Sequence, residues 1–207
     1  MTPKKTGGQP DKRRAILDGA LALFARDGYS RASLDAIAAE AGVSNRTIYN
    51  HFADKAELFR TVIRESTRRA ADTIVDLVDR HLAKIVDLEA DLVGLGLAVV
   101  VVPVGDLAAH FALVGQIKAD AGHIPPATLE NWRRDGPDRV QHALADRLGD
   151  IAERGLLTVD DPFRAAGHFL LLTSAENLPE PSAIHDEKER AAMVAAGTRA
   201  FLRGYRA

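Results

Sequence analysis

The chain of 207 residues has no cysteine. That excludes a disulfide framework, a thiolate zinc site, an iron–sulfur cluster and a thiol redox switch. It also has no long hydrophobic run. The most apolar stretch, LVGLGLAVVVV from Leu92 to Val102, ends at Pro103 and is too short to cross a bilayer as a helix. The opening residues MTPKKTGGQPDK are basic, but no apolar segment follows them, so they do not form a signal peptide. A soluble cytoplasmic protein is expected. Sequence signatures of catalysis are missing as well. There is no GxSxG, P-loop, GxGxxG, HExxH or HxxxH, so neither an enzyme nor a metal or cofactor site is expected. Charge of one sign is missing too, with 27 Lys+Arg against 29 Asp+Glu. A non-specific nucleic-acid coat protein would be strongly basic.

Hydrophobic residues make up 46% of the chain, ordinary for a globular protein, and the length permits a small domain joined to a larger one. The near-neutral total hides an asymmetry. Residues 1–70 carry 13 Lys+Arg and 8 Asp+Glu, a balance of +5, whereas the remainder carries 14 and 21, a balance of −7. A basic module fused to an acidic one points to a polyanionic partner at the N-terminal end.

Residues 1–10 read as a disordered arm, with Gly7, Gly8 and Pro10 discouraging regular structure. From Asp11 the pattern turns helical, with Ile16, Ala20, Leu23 and Phe24 at steps of three and four, and it closes at Asp27-Gly28, where Gly28 suits a left-handed position. Ser33 caps a second short helix, LDAIAAEA, and Ser44 a third, NRTIYNHF. Asp54 caps a fourth that runs to about His81, with Glu57 completing a capping box.

The reversal between the second and third helices occupies only Ala41 to Ile48. Gly42 supplies positive φ, Val43 plugs the gap, and Ala38, Ala39 and Ala41 permit close packing. Helix, glycine turn and helix at this spacing are a helix-turn-helix signal. The third helix would then present a polar side to a major groove. Asn45 and Arg46 suit adenine and guanine edges, and Thr47 a thymine methyl or a phosphate. Tyr49, His51, Lys55 and Ser33 suit phosphate oxygens. With Ser44 and Asn50 they make up the expected DNA-binding set.

Residues from about Arg13 to Val62, ILDGALALFARDGYSRASLDAIAAEAGVSNRTIYNHFADKAELFRTVI, resemble the DNA-binding domain of the tetracycline-repressor (TetR) family. The resemblance makes Ser44–His51 the recognition helix, Tyr49 and Lys55 phosphate contacts, and Asn45, Arg46 and Thr47 base-reading positions. It also implies a homodimeric repressor with a divergent all-helical C-terminal domain. A small-molecule effector there would change the separation of the two DNA-binding heads. WRRDGPDRV, DPFRAAGHFLLL and AFLRGY are similar to a subgroup of that family, without identifying an effector.

The expected fold is therefore all-α. A three-helix helix-turn-helix domain over 11–56 is followed by a helical ligand-binding and dimerisation domain over 57–207. Within the latter, helices are expected over about 87–102, 106–121, 127–153, 162–177 and 186–205, with a restart at Gly136-Pro137. The four consecutive valines Val99–Val102 also allow a strand on propensity. LPEPSAIHD reads as a loop. Met193, Gly197, Phe201 and Tyr205 recur every four residues. Together with Ala166, Phe169, Leu170 and Thr173 they are expected to form a dimer surface of the intersubunit four-helix type. The alternative is that this stripe is only the protomer's own core. His110, Phe111 and Trp132 are the candidates for lining a ligand cavity. The partners expected are operator DNA, a second copy of the chain and an unidentified small molecule. An architectural DNA-binding protein with no ligand is the alternative from another class.

Overall fold

The computed structural model describes residues 9–102, 107–119, 124, 126–174 and 186–207. Among them lie ten helices: α1 (Gln9–Arg31), α2 (Leu34–Glu40), α3 (Asn45–Tyr49), α4 (Lys55–Leu82), α5 (Leu88–Val100), α6 (Ala108–Ala119), α7 (Pro126–Asp135), α8 (Pro137–Glu153), α9 (Pro162–Leu172) and α10 (Glu187–Tyr205). The described residues contain no strand beyond one antiparallel bridge between Leu157 and Arg206. The fold is all-α, and the valine run continues α5 as far as Val100. No described helix is long and apolar enough to cross a membrane. The residues gather into two compact units. The first takes the chain up to Arg69 together with Leu107–Arg133, and the second takes Ala70–Asp106 with Arg134–Ala207.

The first unit is organised around Ile16, Leu23, Phe24, Ile37, Ile48 and Leu58, with Leu113 and Ile117 of α6 in the same cluster. Phe24 meets Phe59 edge to face at 4.9 Å, a favoured aromatic geometry. Local hydrogen bonds set the helix starts. Ser33 Oγ accepts from the Ala36 amide at 3.1 Å, and Ser44 Oγ from that of Thr47 at 3.2 Å. Asp54 Oδ1 accepts from the Glu57 amide at 2.7 Å, while Glu57 Oε2 reaches back to the Ala53 amide, also at 2.7 Å. Gly42 has φ 65° and makes the reversal. Three details differ from expectation. Gly28 does take positive φ (76°), but one further helical turn follows it, to Arg31. α3 is five residues long, and residues after Tyr49 form a turn. Ala39 faces solvent, so of the three alanines expected in close packing it is Ala38 that is buried and Ala41 half-buried; a Cβ at Gly19 of α1 would meet Ala41 at 3.2 Å. Of the expected arm, residues 9 and 10 begin α1 and the rest lies outside the described residues.

The second unit buries Leu92 and Leu95 of α5, Leu144, Leu148 and Ile151 of α8, Phe169 of α9 and Phe201 of α10. Phe169 and Phe201 meet edge to face at 5.4 Å. Asp87, Asp161 and Asp186 cap α5, α9 and α10 through their carboxylates, and Pro162 sits in the first turn of α9. Arg139 pairs with Asp72 at 2.6 Å and Arg147 with Asp79 at 2.9 Å, joining α8 to residues of α4 that lie in this unit. The expected helix over 127–153 does restart at Gly136-Pro137. α9 ends at Leu172 rather than near Asn177; Thr173 caps it and turns its own hydroxyl onto the Phe169 carbonyl at 2.9 Å. The loop LPEPSAIHD falls, up to His185, outside the described residues.

Candidate nucleic-acid interface

Capping and turn geometry leave α3 with one buried apolar anchor, Ile48, and a polar remainder. Arg46 and Asn50 are exposed, and Tyr49 is 59% exposed, unusual for so large a ring. Ser33 and Ser44 are exposed. Their oxygens serve as caps, and Ser44 Oγ also lies 3.0 Å from Thr47 Oγ1. Thr47 and His51 are half-buried, with the His51 ring 6.4 Å from Phe52. Arg13 secures the turn behind α3. Its guanidinium lies 5.7 Å from the Phe52 ring centre and pairs with Glu65 of α4 at 2.8 Å.

Asn45 is placed differently from the expectation of a base-reading side chain. It is half-buried, its Nδ2 donates to Asp35 Oδ1 of α2, and its own Oδ1 is buried without a partner among the described residues. Only the amide NH₂ end can face a carboxylate, so in this arrangement the side chain bridges α2 and α3. Lys55 opens α4, with Nζ 3.3 Å from the Ser30 carbonyl and 4.6 Å from the Tyr29 ring centre. Burial holds its ammonium below the usual lysine pKa. Tyr29, Ser30 and Asp35 were absent from the sequence-derived set. The aromatic residue directly after Gly28 was the available signal for the first two. Asp35, ten residues before Asn45, gave none.

Of the three candidate cavity residues, His110 is buried. Its Nδ1 lies 3.1 Å from Ser66 Oγ, and the Ser66 hydroxyl also lies 3.2 Å from the Ile63 carbonyl as a donor. Ser66 has one hydrogen to give. When it goes to Ile63, the neutral imidazole donates through Nδ1. Burial, aided by the Arg69 charge, pushes the His110 pKa down to about 4. Phe111 is half-buried and edge-on to His110 at 5.1 Å. Trp132 is half-buried against the core of the first unit, and its Nε1 is buried without a partner among the described residues. A cleft of about 520 Å³ lies elsewhere, in the second unit, lined by Gln141, Asp161, Phe163, Arg164, His168 and Leu171 among others. Among the described residues no His/Asp/Glu cluster is placed to hold a metal ion.

The stripe expected to form a dimer surface is largely internal. Ala166, Phe169, Thr173, Gly197 and Phe201 are buried within one chain, and Leu170, Met193 and Tyr205 are half-buried. A Cβ at Gly197 would collide with the Leu172 carbonyl of α9. The four-residue period therefore marks where α10 packs on its own protomer. The opposite faces of the same two helices are open. On α9, Leu171 is 66% and Phe163 38% exposed, with Leu172 beside them, and on α10 Ala192, Ala196, Ala200 and Gly204 face solvent.

Residues 16–62 match the family model of bacterial regulatory proteins of the tetR family, and residues 119–207 match that of the AefR-like transcriptional repressor C-terminal domain. The HTH-type transcriptional repressor AcnR of Corynebacterium efficiens is 39% identical over 70 residues, 33% of this chain and 37% of that protein. Over the first curated relatives, then, the chain matches only about a third of their length. The HTH-type transcriptional regulator UidR of Escherichia coli K12 is 26% identical over 212 residues, 99% of this chain and 97% of UidR. The crystal structure of a TetR-family transcriptional regulator from Mesorhizobium loti MAFF303099 superposes with a TM-score of 0.83 at 26% identity, covering 97% of this chain and 100% of that one.

Proposed function

We propose that the chain belongs to the tetR family of bacterial regulatory proteins, as the matches over residues 16–62 and 119–207 support, and that it acts in the cytoplasm as a homodimeric, operator-binding transcriptional repressor that a small-molecule effector releases, and not as an enzyme. The observation that carries the DNA-binding reading is the exposure of Arg46, Tyr49 and Asn50 on a short helix anchored by Ile48 behind the Gly42 turn. Arg46 has the planar fork for guanine O6 and N7. Thr47 offers a methyl group and a hydroxyl. Tyr49, Asn50, His51 and Lys55 hold phosphates. Ser33 accepts a capping bond through its oxygen and keeps a hydroxyl hydrogen to donate to a phosphate; Ser44 and Thr47 share one hydroxyl hydrogen between them, which leaves the other for a phosphate. Asn45 contributes by fixing α3 against α2 through Asp35.

One recognition helix reads few bases, so specificity calls for two half-sites and a two-fold protein. The exposed apolar face of α9 and the small-residue face of α10 support a pairing of these helices with those of a second copy. For the effector, Trp132 supports a ligand-facing role, because its buried indole N–H has no acceptor among the described residues and a ligand would supply one. His110, already bonded to Ser66, is assigned to the core with Phe111 beside it. Release by an effector requires only different affinities for two conformations.

The test uses a DNA duplex selected by the wild-type protein from a random-sequence library. Arg46→Ala should weaken binding about 10- to 100-fold and relax the preference at one base position per half-site, corresponding to about 1–3 kcal/mol. Failure to select any duplex, or unchanged affinity in Arg46→Ala, overturns the assignment.

A further inference from the structure

We propose that Tyr29 is a positioning residue for DNA binding, its ring face holding the Lys55 ammonium in place at the start of α4 for a backbone phosphate. This rests on the reading of Lys55 as a phosphate contact. Lys55 lies 4.6 Å from the Tyr29 ring centre, within cation–π range, and its Nζ donates to the Ser30 carbonyl at 3.3 Å. A surface lysine at a helix start would otherwise spread over many rotamers. Here two groups from one short segment define where the charge sits. An ammonium has three donors, so one bond to Ser30 leaves hydrogens for a phosphate oxygen.

Tyr29 is itself held by two other rings. Its ring centre is 4.6 Å from Phe59 and 6.2 Å from Phe24, and Phe59 lies on α4 one turn beyond Lys55. The backbone before it is turned by Gly28, whose positive φ of 76° an L side chain rarely adopts. Tyr29 thus rests on the buried aromatic pair and offers a face to the cation. The half-burial of Lys55 and the lowering of its pKa fit an ammonium partly withdrawn from water onto this ring.

The experiment measures affinity for the selected duplex between 50 and about 300 mM salt. It compares wild type, Lys55→Gln, Tyr29→Phe, Tyr29→Leu and the double variant Tyr29→Leu/Lys55→Gln, each checked by thermal melting. Lys55→Gln should weaken binding about tenfold and lower the log–log salt slope by about one per half-site. Tyr29→Phe, which keeps the ring face, should stay within about twofold of wild type. Tyr29→Leu should lose about three- to tenfold with a reduced slope, and the double variant should bind no worse than Lys55→Gln. If Lys55→Gln changes nothing, the phosphate reading falls and the proposal with it. If Lys55→Gln behaves as expected but the losses simply add in the double variant, the phosphate reading stands and the positioning role is overturned. A second readout does not depend on the folding of Tyr29→Leu. The ¹³C-dimethylated Lys55 resonance of the wild type, identified by its absence in Lys55→Gln, should lie upfield of the other lysines through the ring current. A shift in the range of the exposed lysines overturns the proposal.

Discussion

The two units use glycine and short apolar helices for different ends. In the first, Gly42 and Gly28 bend the chain at positive φ and leave polar side chains facing outward on α3. In the second, Gly96 and Gly197 lie inside straight helices and serve contact. A Cβ at Gly96 would meet Val194 at 2.6 Å, and one at Gly197 would collide with the Leu172 backbone. The first unit therefore spends its irregularity on presenting a surface, and the second on closing a core. Substitutions should separate these uses. The largest effect is expected at Gly197→Ala, where the obstructing atom is a main-chain carbonyl that cannot swing aside. We expect a loss of about 3 kcal/mol or more, read as a fall in Tm. Gly149→Ala on α8, where a Cβ meets nothing within 4 Å, should be neutral or slightly stabilising. Equal melting of the two variants would remove the distinction.

Next in size is a response to acid carried by the first unit. His110 has a folded pKa near 4, below its ordinary 6.5, so the unfolded chain takes up a proton that the folded chain refuses. Stability from this residue is complete above about pH 6.5 and falls as pH drops toward 4, by up to about 3 kcal/mol. His110→Gln keeps polar atoms near Ser66 and removes the titration. The difference in unfolding free energy between wild type and His110→Gln should therefore slope through that window and be flat above it. A constant difference from pH 4 to 7 would show that His110 is not held neutral.

The capping serines, Asp54, Glu57 and the Gly42 turn were legible because each acts within about four residues, so the motif and the local geometry carry the same information. The stripe through Phe201 and Gly197 was legible only as a period. A four-residue repeat shows that a helix face is covered, but not whether its own chain or a second copy covers it; in the fold, Phe201 and Gly197 are buried within one chain while Leu171 is exposed. Leu171→Glu should shift the protein from dimer to monomer in analytical ultracentrifugation, raising the dimer dissociation constant more than tenfold, while the protomer's helical signal is kept. An unchanged dimer would place the pairing surface elsewhere. Long-range pairs such as Tyr29 with Lys55 escape sequence reading because 26 positions separate the partners and only the folded turn brings them together.

The smallest effect should come from Asn45, whose placement departs from that of a free base-reading side chain. Asn45 sits where the motif places a base reader, yet its amide is engaged with Asp35 and its oxygen is buried without a partner. Asn45→Ala removes a hydrogen bond to a charged acceptor and at the same time removes an unsatisfied buried oxygen. The two terms oppose, leaving a net loss of about 1 kcal/mol in stability. If Asn45 acts through the clamp, the variant should bind all duplexes somewhat more weakly with the base preference preserved, and Asp35→Asn should reproduce that pattern. If Asn45 instead leaves Asp35 to read adenine, Asn45→Ala should lose preference at one base position while Asp35→Asn keeps it. Library selection with both variants distinguishes these outcomes, because a clamp is shared by its two ends and a base contact is not.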